Sequence, residues 1–217
     1  MHHYGEVNIK TILDWKSPAT FYPRHSFKSV MIGSYYESGL FRAYKIIPPG
    51  ESKPVDFYKS TNVRLTNLKI NKKVWMVDDP IHWWAIQNYA QTYHGKVLVA
   101  GLGLGLIVHA LANNSNVKSI TVVEKNQDVI DTIRSLIPDC EIINSDWYEY
   151  QIEPDVDGVF FDLFVGNAKK LEAHALREML QLKKILPNAN INILGFDNFY
   201  LHQTCDSILQ NEKIISG

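Results

Sequence analysis

The sequence of 217 residues contains only two cysteines, and they do not form a CxxC pair. Cys140 and Cys205 are therefore predicted to be reduced, buried thiols, as is usual in a cytosolic protein. The net charge is −1, so no overall basic charge points to nucleic acid or an anionic membrane as a partner. The N-terminal stretch MHHYGEVNIK lacks an apolar signal core, and we expect no export and a cytoplasmic location.

Metal-binding patterns and membrane spans are also missing from the sequence. The eight histidines never take the HExxH spacing, so no metal site is predicted. The apolar run from Val97 to Ala112 is shorter than the roughly 20 residues that a membrane helix needs, and glycines interrupt its start. Hydrophobic residues make up 46% and charged residues 21%, which indicates a globular protein with a full core.

A strand–glycine–helix–strand pattern lies between Lys96 and Lys125. Val97 to Gly101 is a short apolar run, typical of a buried strand, and further glycines follow at Gly103 and Gly105. Apolar residues then recur at helical spacing. A second strand is predicted over residues 119–123, and it ends at Glu124.

This pattern has the chemistry of a nucleoside-binding site. Glycine allows the backbone to approach a ligand closely, and the start of the helix presents N–H groups to it. Glu124 can accept hydrogen bonds from both hydroxyls of a ribose. The alternative is a glycine turn that binds nothing. Dinucleotide binding is less well supported, because GxGxxG requires a glycine where Leu106 stands.

Residues 1–77 are predicted to form a small N-terminal antiparallel β-domain. Aromatic residues are frequent there, and strands are predicted over 28–36 and 40–47 around a turn at Glu37–Gly39. A second hairpin is predicted around Asn71–Lys73. Residues 78–217 form the second predicted domain, which opens with Asp78, Asp79 and Pro80 at the start of a helix.

His82 and Trp83 lie in that first helix, just before the glycine pattern, and they are candidate substrate-binding residues. A solvated aspartate cap and a packed tryptophan are the alternative interpretation of this segment.

The remaining sequence alternates between helices and strands. Helices are predicted over 126–136, 168–185 and 199–210, and strands over 140–145, 156–161, 190–195 and 213–216. Alternation of this kind predicts an α/β fold with a doubly wound, mostly parallel sheet. Acids follow the ends of four predicted strands, at the edge where such sheets bind ligands: Glu124, Asp146, Asp162 and Asp197.

Residues 96 to about 197 resemble a class I S-adenosylmethionine-dependent methyltransferase, which has a Rossmann-like core. Val97–Gly105 (VLVAGLGLG) resembles the first motif of that family, and VVEKN with Glu124 resembles its ribose-binding motif. NSDWYEY with Asp146 resembles the adenine-binding segment, and GVFFDLF with Asp162 resembles the fourth motif. The spermidine-synthase-like branch is the most similar, because it also has an N-terminal β-domain.

The resemblance implies S-adenosyl-L-methionine as the cofactor of a methyltransferase whose acceptor, small or macromolecular, is unknown. A homodimer is possible. The implied cofactor-binding residues are Gly101, Leu102, Gly103, Gly105, Glu124, Lys125, Asp146, Trp147 and Asp162. Asp162 is also the implied catalytic residue. The implied substrate-binding residues are His82, Trp83, Phe164 and Asn167.

The sequence departs from the family pattern at several positions, and two alternatives stay open. Val99 stands where the family usually has an acid, so a silent nucleoside-binding or scaffold protein is one alternative. Aminopropyl transfer is the other, but Leu104 and Val165 replace the acids that aminopropyltransferases carry. The sequence also stops before the antiparallel hairpin with which the family commonly ends, so we expect a shortened chain or a bare sheet edge.

Overall fold

The computed structural model describes residues 16–47, 51–163 and 168–216. These residues form two compact units. The first unit contains the described residues up to Thr92 together with Leu102–Asn114 and Asn126–Asp139. The second unit contains Tyr93–Gly101, Ser115–Lys125 and the described residues from Cys140 onward. The domain boundary between residues 77 and 78 stays a prediction.

The first unit contains an antiparallel sheet, which confirms the predicted N-terminal β-structure. The strands are adjacent in chain order: β1 (His25–Phe27), β2 (Val30–Ile47), β3 (Glu51–Ile70) and β4 (Lys73–Val77). The turn between β3 and β4 has positive φ angles at Asn71 (50°) and Lys72 (67°). Two successive positive φ angles match the twist of the flanking strands. The hairpin predicted around Asn71 is therefore confirmed.

The turn predicted at Glu37–Gly39 is wrong. β2 runs through these residues, and Glu37 pairs with Val63 while Gly39 pairs with Lys59 on β3. Between these two pairs β2 advances by two residues and β3 by four, so the irregularity in the pairing has its extra residues on β3 and does not end β2. Small residues such as Ser38 and Gly39 are compatible with the interior of a strand as well as with a turn. The long pairing with β3 decides between the two.

The second unit contains a parallel sheet of five strands, β5 (Gly95–Ala100), β6 (Val117–Glu124), β7 (Glu141–Asn144), β8 (Gly158–Phe161) and β9 (Asn190–Ile193). Their spatial order is β7-β6-β5-β8-β9. The order reverses at β5, which is the doubly wound arrangement, and the predicted fold class is confirmed. β8 is buried along its whole length, as its run of apolar residues predicts.

Helices occur in both units. The first unit contains α1 (Pro80–Gln91), α2 (Leu106–Ala112) and α3 (Gln127–Ile133), and the second contains α4 (Ala168–Ile185) and α5 (Asn198–Ser216). Side chains of α4 and α5 pack with those of the parallel sheet in a buried cluster that includes Leu98, Phe161, Met179, Ile193 and Leu201.

The strand predicted over residues 213–216 is wrong, because α5 continues to Ser216. A short apolar run is compatible with either structure. Here the helix that precedes it continues and satisfies its backbone hydrogen bonds. None of the helices in the described residues is long and apolar enough to cross a membrane. The described residues also bring no three metal-ligating side chains together.

Candidate functional site

The carboxyl ends of three parallel strands in the second unit lie at one level. Ala100 on β5 pairs with Val123 on β6 and with Phe161 on β8. Beyond these pairs, the Gly101 amide donates to the Val123 carbonyl at 2.9 Å, and the Asp162 amide donates to the Ala100 carbonyl at 3.0 Å. Because neighbouring strands lie about 4.8 Å apart, the ends of β6 and β8 lie about 10 Å apart on either side of β5.

The structure therefore brings several predicted cofactor-binding residues to one sheet edge. We call Gly101, Glu124, Lys125, Asp146 and Asp162 the strand-end group. Glu124 is the last residue of β6, and Asp162 follows β8 directly. Both side chains are half-buried, so they are held by the sheet and still reach its accessible edge.

Asn144 holds the end of β6 in place. Its side-chain amide donates to the carbonyl of Glu124 at 3.0 Å and to the carbonyl of Lys125 at 3.1 Å. The Ser145 amide also donates to the Glu124 carbonyl, at 3.3 Å. Sequence reasoning missed this residue. The available signal was an amide side chain near the end of the strand predicted over 140–145, two residues before Asp146.

Asp146 caps the short 3₁₀ helix Trp147–Glu149 and faces a lysine. Its Oδ1 atom accepts a hydrogen bond from the Tyr148 amide at 3.1 Å. Its Oδ2 atom lies 3.8 Å from Nζ of Lys125, and the side chains are 39% and 71% exposed. An ion pair this exposed contributes at most about 1 kcal/mol, so Lys125 leaves the Asp146 carboxylate able to bind a ligand.

Trp147 is a core residue. Its side chain is 6% exposed, and its ring packs edge-on against Phe161 with centroids 5.6 Å apart. The indole N–H donates to Oε1 of Glu178 at 2.8 Å, and burial raises the pKa of that carboxyl group. Little of the ring is accessible to a ligand, and the direct cofactor contact implied by the resemblance stays a prediction. The structural role of Trp147 is to support the turn that carries Asp146.

Asp197, the fourth acid predicted at a strand end, caps a helix. Its Oδ1 atom accepts a hydrogen bond from the Tyr200 amide at 3.1 Å, in the first turn of α5. Such caps satisfy backbone donors that a helix leaves unpaired. This carboxylate is explained by the start of α5, and we do not include it in the strand-end group.

Gly101 and Val99 show how β5 meets β8. Gly101 has a φ of +91°, and a Cβ atom there would lie 2.9 Å from the Asp162 carbonyl oxygen and 2.9 Å from Cδ2 of Leu163. Glycine is therefore needed for this close approach. Val99 is the penultimate residue of β5 and is fully buried. Phe164 and Asn167, both predicted to bind substrate, lie outside the described residues.

The glycine loop, Leu102–Gly105, belongs to the first unit. Gly103 and Gly105 have φ angles of +51° and +69°. A Cβ atom on Gly103 would lie 2.5 Å from Sδ of Met76, and the same sulfur accepts a hydrogen bond from the Leu104 amide at 3.2 Å. The sequence predicts that these glycines make room for a ligand. The structure adds a second reason for glycine at position 103, because a side chain there would clash with Met76.

His82 and Trp83 both lie at the start of α1 in the first unit. Trp83 is 6% exposed. The His82 ring nitrogen Nδ1 lies 3.0 Å from the Val77 carbonyl oxygen, which can only accept, so Nδ1 carries the proton. Nε2 is then an acceptor, and within the described part of the chain it is buried and has no hydrogen-bond partner. Substrate binding by these two residues stays a prediction.

The two aspartates before α1 have different roles. Asp79 caps the helix, since its Oδ1 atom accepts a hydrogen bond from the His82 amide at 2.9 Å. Asp78 is 3% exposed, so the interpretation of both as a solvated cap is wrong for this residue. Its carboxylate accepts hydrogen bonds from the Ser17 hydroxyl at 2.6 Å and the Thr20 hydroxyl at 3.2 Å.

The Thr66 amide is a third donor to Asp78. Burial raises the pKa of Asp78, and these hydrogen bonds act in the opposite direction. The carboxylate therefore joins the segment before β1, the strand β3 and the start of α1 within the first unit.

Comparisons with known proteins give low similarity. No protein-family model matches the sequence. No curated protein matches it either. Similar solved structures include the 23S rRNA methyltransferase ErmE, with 21% identity, a TM-score of 0.37, and 50% of this chain and 42% of that chain covered. For the plantazolicin methyltransferase BpumL in complex with SAH, the identity is 17%, the TM-score 0.38, and the coverage 52% and 44%.

The ribosomal protein L11 methylase from Lactobacillus delbrueckii subsp. bulgaricus is also similar, with 16% identity and a TM-score of 0.39. The alignment covers 60% of this chain and 66% of that chain. The chain thus spans less than two thirds of each of these three proteins. At such TM-scores the similarity carries no information about activity.

Proposed function

We propose that this protein is an S-adenosylmethionine-dependent methyltransferase whose acceptor is not yet identified. The observation that carries the proposal is the position of Glu124. Its carboxylate lies at the carboxyl end of β6, beside the end of β5, where the strand order reverses. Ligands of doubly wound sheets bind at this point.

The strand-end group suits the hydrogen-bond donors of such a nucleoside. A carboxylate accepts hydrogen bonds on both oxygens, so Glu124 can bind the two hydroxyls of a ribose. Asp146, on the side of β6 away from β5, is an acceptor for the amine of an adenine. Asp162, beyond β5 on the other side, is the acidic partner for an ammonium group. The fully buried Val99 provides no acid for that purpose, so Asp162 or a backbone carbonyl near Gly101 takes this role.

S-adenosylmethionine, when bound, supplies an electrophilic methyl group. The contribution of the protein is then to position the reactants and exclude water, because a displacement reaction needs aligned partners more than it needs a protein nucleophile. Asp162 is the proposed catalytic residue. It is attached to a strand whose four residues are all buried, so its backbone is held rigidly.

Binding of S-adenosylhomocysteine, the product form of the cofactor, tests the site. Glu124→Ala should lose about 1.5–3 kcal/mol of binding free energy, the usual range for hydrogen bonds to a charged group. Isothermal titration calorimetry measures this loss. Glu141→Ala is a matched control, because that glutamate lies on β7 at the opposite end of the sheet. Unchanged affinity in a folded Glu124→Ala protein would remove Glu124 from the site.

Turnover has to be tested separately from binding, because a silent nucleoside-binding protein would also retain the strand-end group. Detection of a methylated product, with S-adenosylhomocysteine released in equal amount, would support the enzyme. Tight cofactor binding without any methylated product across small-molecule and macromolecular acceptors would favour the scaffold.

Aminopropyl transfer is expected to fail. Transfer to a diamine requires a carboxylate that acts as a base and removes a proton from a cationic amine, since alkyl amines have pKa values near 10. Leu104 occupies one of the acidic positions of aminopropyltransferases, and its side chain is fully buried. We expect no spermidine from decarboxylated S-adenosylmethionine and putrescine. Release of methylthioadenosine above background would instead favour the polyamine reaction.

A further inference from the structure

The antiparallel sheet of the first unit contains a basic region, although the net charge of the whole chain is −1. Residues 16–36 and 64–77, which include β1 and β4, contain no aspartate or glutamate. The lysines and arginines in these two stretches are Lys16, Arg24, Lys28, Arg64, Lys69, Lys72 and Lys73. Acids elsewhere in the chain hide this local positive charge in the overall composition.

Three of these lysines lie around the turn between β3 and β4. Lys69 is the penultimate residue of β3, Lys72 is in the turn, and Lys73 is the first residue of β4. The turn between β1 and β2 lies beside them, because the Asn71 amide donates to the Ser29 carbonyl at 2.9 Å. Lys72 and Lys73 are exposed, and Lys69 is half-buried. The sheet therefore gathers their charge at one of its ends.

The three lysines differ from Lys28, in the neighbouring turn, in their ion pairing. Nζ of Lys28 lies 3.1 Å from Oδ1 of Asp128, so an acid of the first unit balances its charge. Within the described residues, no carboxylate forms an ion pair with Lys69, Lys72 or Lys73. Their ammonium groups therefore remain available to an anion from outside this part of the chain.

Trp75 lies next to these lysines on β4, an edge strand of the sheet, and its side chain is 50% exposed. Between Leu68 and Lys69 the pairing advances by one residue on β3 and by two on β4, so Trp75 is the extra residue of a β-bulge. Lys69 pairs with Val74, the residue before Trp75. Because paired residues lie about 5 Å apart, the tryptophan is held close to this lysine.

Protection of the sheet edge does not explain this arrangement. Lysines on an edge strand commonly prevent it from pairing with another chain. A half-exposed indole has the opposite effect, because it adds apolar area to the same edge. Among the described residues, no other aromatic ring stacks on Trp75. The combination of unpaired ammonium groups and a free aromatic face instead matches the way proteins bind phosphates and unpaired bases.

An anionic membrane fits the same residues less well. Binding to a lipid surface scales with the apolar area that is inserted. Val74 and Trp75 are the large apolar side chains exposed on β4, and a single strand edge with three lysines beside it inserts little area.

We infer that Lys69, Lys72, Lys73 and Trp75, which we call the lysine–tryptophan surface, bind single-stranded nucleic acid. The ammonium groups contact phosphates, and the indole stacks on an unpaired base. A single strand fits better than a duplex, because the bases of a duplex already stack on one another. All four residues belong to the first unit, so the inference does not depend on the proposed methyltransferase activity.

The first test is the affinity of the full chain for a fluorescein-labelled oligouridylate, measured by fluorescence anisotropy at several salt concentrations without cofactor. Each phosphate contact contributes about 0.7 to the slope of log affinity against log salt for a single strand. Replacement of all three lysines by glutamine should therefore reduce the slope by about 2. Lys118→Gln is the matched control, because Lys118 is exposed and belongs to the second unit. No binding by the wild type, or an unchanged slope in the triple variant, would overturn the inference.

The second test concerns stacking. Trp75→Ala should weaken oligouridylate binding by about 5- to 150-fold, the range for loss of one stacked base. Trp75→Phe keeps an aromatic ring and should retain most of the affinity. Phe21→Ala should have no effect, because Phe21 is 73% exposed but ends a short 3₁₀ helix that contacts β3 at Thr66, away from the turn.

Inorganic polyphosphate separates stacking from charge, because it carries phosphates but no bases. Trp75→Ala should leave polyphosphate binding unchanged. Equal losses for oligouridylate and polyphosphate, or no loss for either, would show that Trp75 does not stack on a base and would overturn the inference. Binding to phosphatidylserine vesicles without binding to oligouridylate would also overturn it, in favour of a membrane.

Oligodeoxythymidylate compares the two kinds of single strand. Equal affinity for oligouridylate and oligodeoxythymidylate, with the same loss in Trp75→Ala, would support recognition of the phosphates and bases that both strands carry. Tighter binding of oligouridylate would support the same surface and assign RNA as its partner, since only RNA has the 2′-hydroxyl group.

Discussion

Two aspartates follow strand ends in the two units, and their surroundings differ. Asp78 comes directly after β4, is 3% exposed, and accepts hydrogen bonds from two hydroxyl groups and a backbone amide. Asp146 comes two residues after β7, and its side chain is 39% exposed. It accepts a hydrogen bond from the Tyr148 amide and faces Lys125 at 3.8 Å.

The comparison shows that an acid after a strand does not by itself define a ligand site. A carboxylate has about four acceptor positions. At Asp78 three protein donors use most of them, and burial keeps water and ligands away. At Asp146 the carboxylate reaches an accessible edge and retains acceptor capacity. Asp78 is therefore part of the architecture of the first unit, and Asp146 is a candidate for binding in the second.

The largest expected effect comes from removing the buried acid. Asp78→Ala leaves the hydroxyls of Ser17 and Thr20 and the Thr66 amide without their acceptor, which should lower the free energy of unfolding by about 3–5 kcal/mol. Asp146→Ala removes a cap and should lower it by only about 1 kcal/mol. Urea denaturation measures both values. Equal losses in the free energy of unfolding would show that burial and hydrogen-bond donors do not distinguish the two aspartates.

Gly103 tests whether the glycine loop is constrained by packing within the protein, as Asp78 is, or is available to a ligand, as Asp146 is. Gly103→Ala should lower stability by about 1–2 kcal/mol because of its positive φ angle. The clash with Sδ of Met76 adds to this loss. In a double-mutant cycle with Met76→Ala, a coupling of about 0.5–3 kcal/mol is expected, because the smaller side chain removes the clash. Zero coupling would mean that Met76 does not constrain the loop, and that the positive φ angle and a ligand are the remaining reasons for the glycine.

Glu178 gives the smallest expected effect and extends the comparison to a buried acid in the second unit. Burial raises its pKa in the folded state. Its contribution to stability is therefore greatest below the ordinary glutamate pKa of about 4.3 and is lost as the pH rises toward the raised value. Glu178→Gln retains an acceptor for the Trp147 N–H and should remove this loss.

Thermal unfolding of the wild type and of Glu178→Gln, from below the ordinary glutamate pKa to above the raised one, measures the difference in stability between the two proteins. The variant should become the more stable protein as the pH rises. A constant difference at every pH would show that Glu178 has the same pKa in the folded and unfolded states.

Much of the second unit could be predicted because its signals are local. Each signal lies within a short stretch of the chain: the apolar runs that become β5 and β8, the glycine that follows β5, and the glutamate that ends β6. The order of such elements restricts the topology to a few arrangements. The same local reasoning failed at Glu37–Gly39 and at 213–216, where a partner strand and a preceding helix decided the backbone conformation.

The sequence by itself determined which chemistry is present: a doubly wound parallel sheet with carboxylates at its strand ends, and glycines where β5 ends. Tertiary structure alone decided which of these groups are accessible. It buried Asp78 among three donors, placed Trp147 against Phe161 and Glu178, and directed Tyr22 to Leu104, 82 positions away in the chain. The physical reason is that residue type sets what a side chain can bond, whereas burial and partners depend on residues distant in sequence.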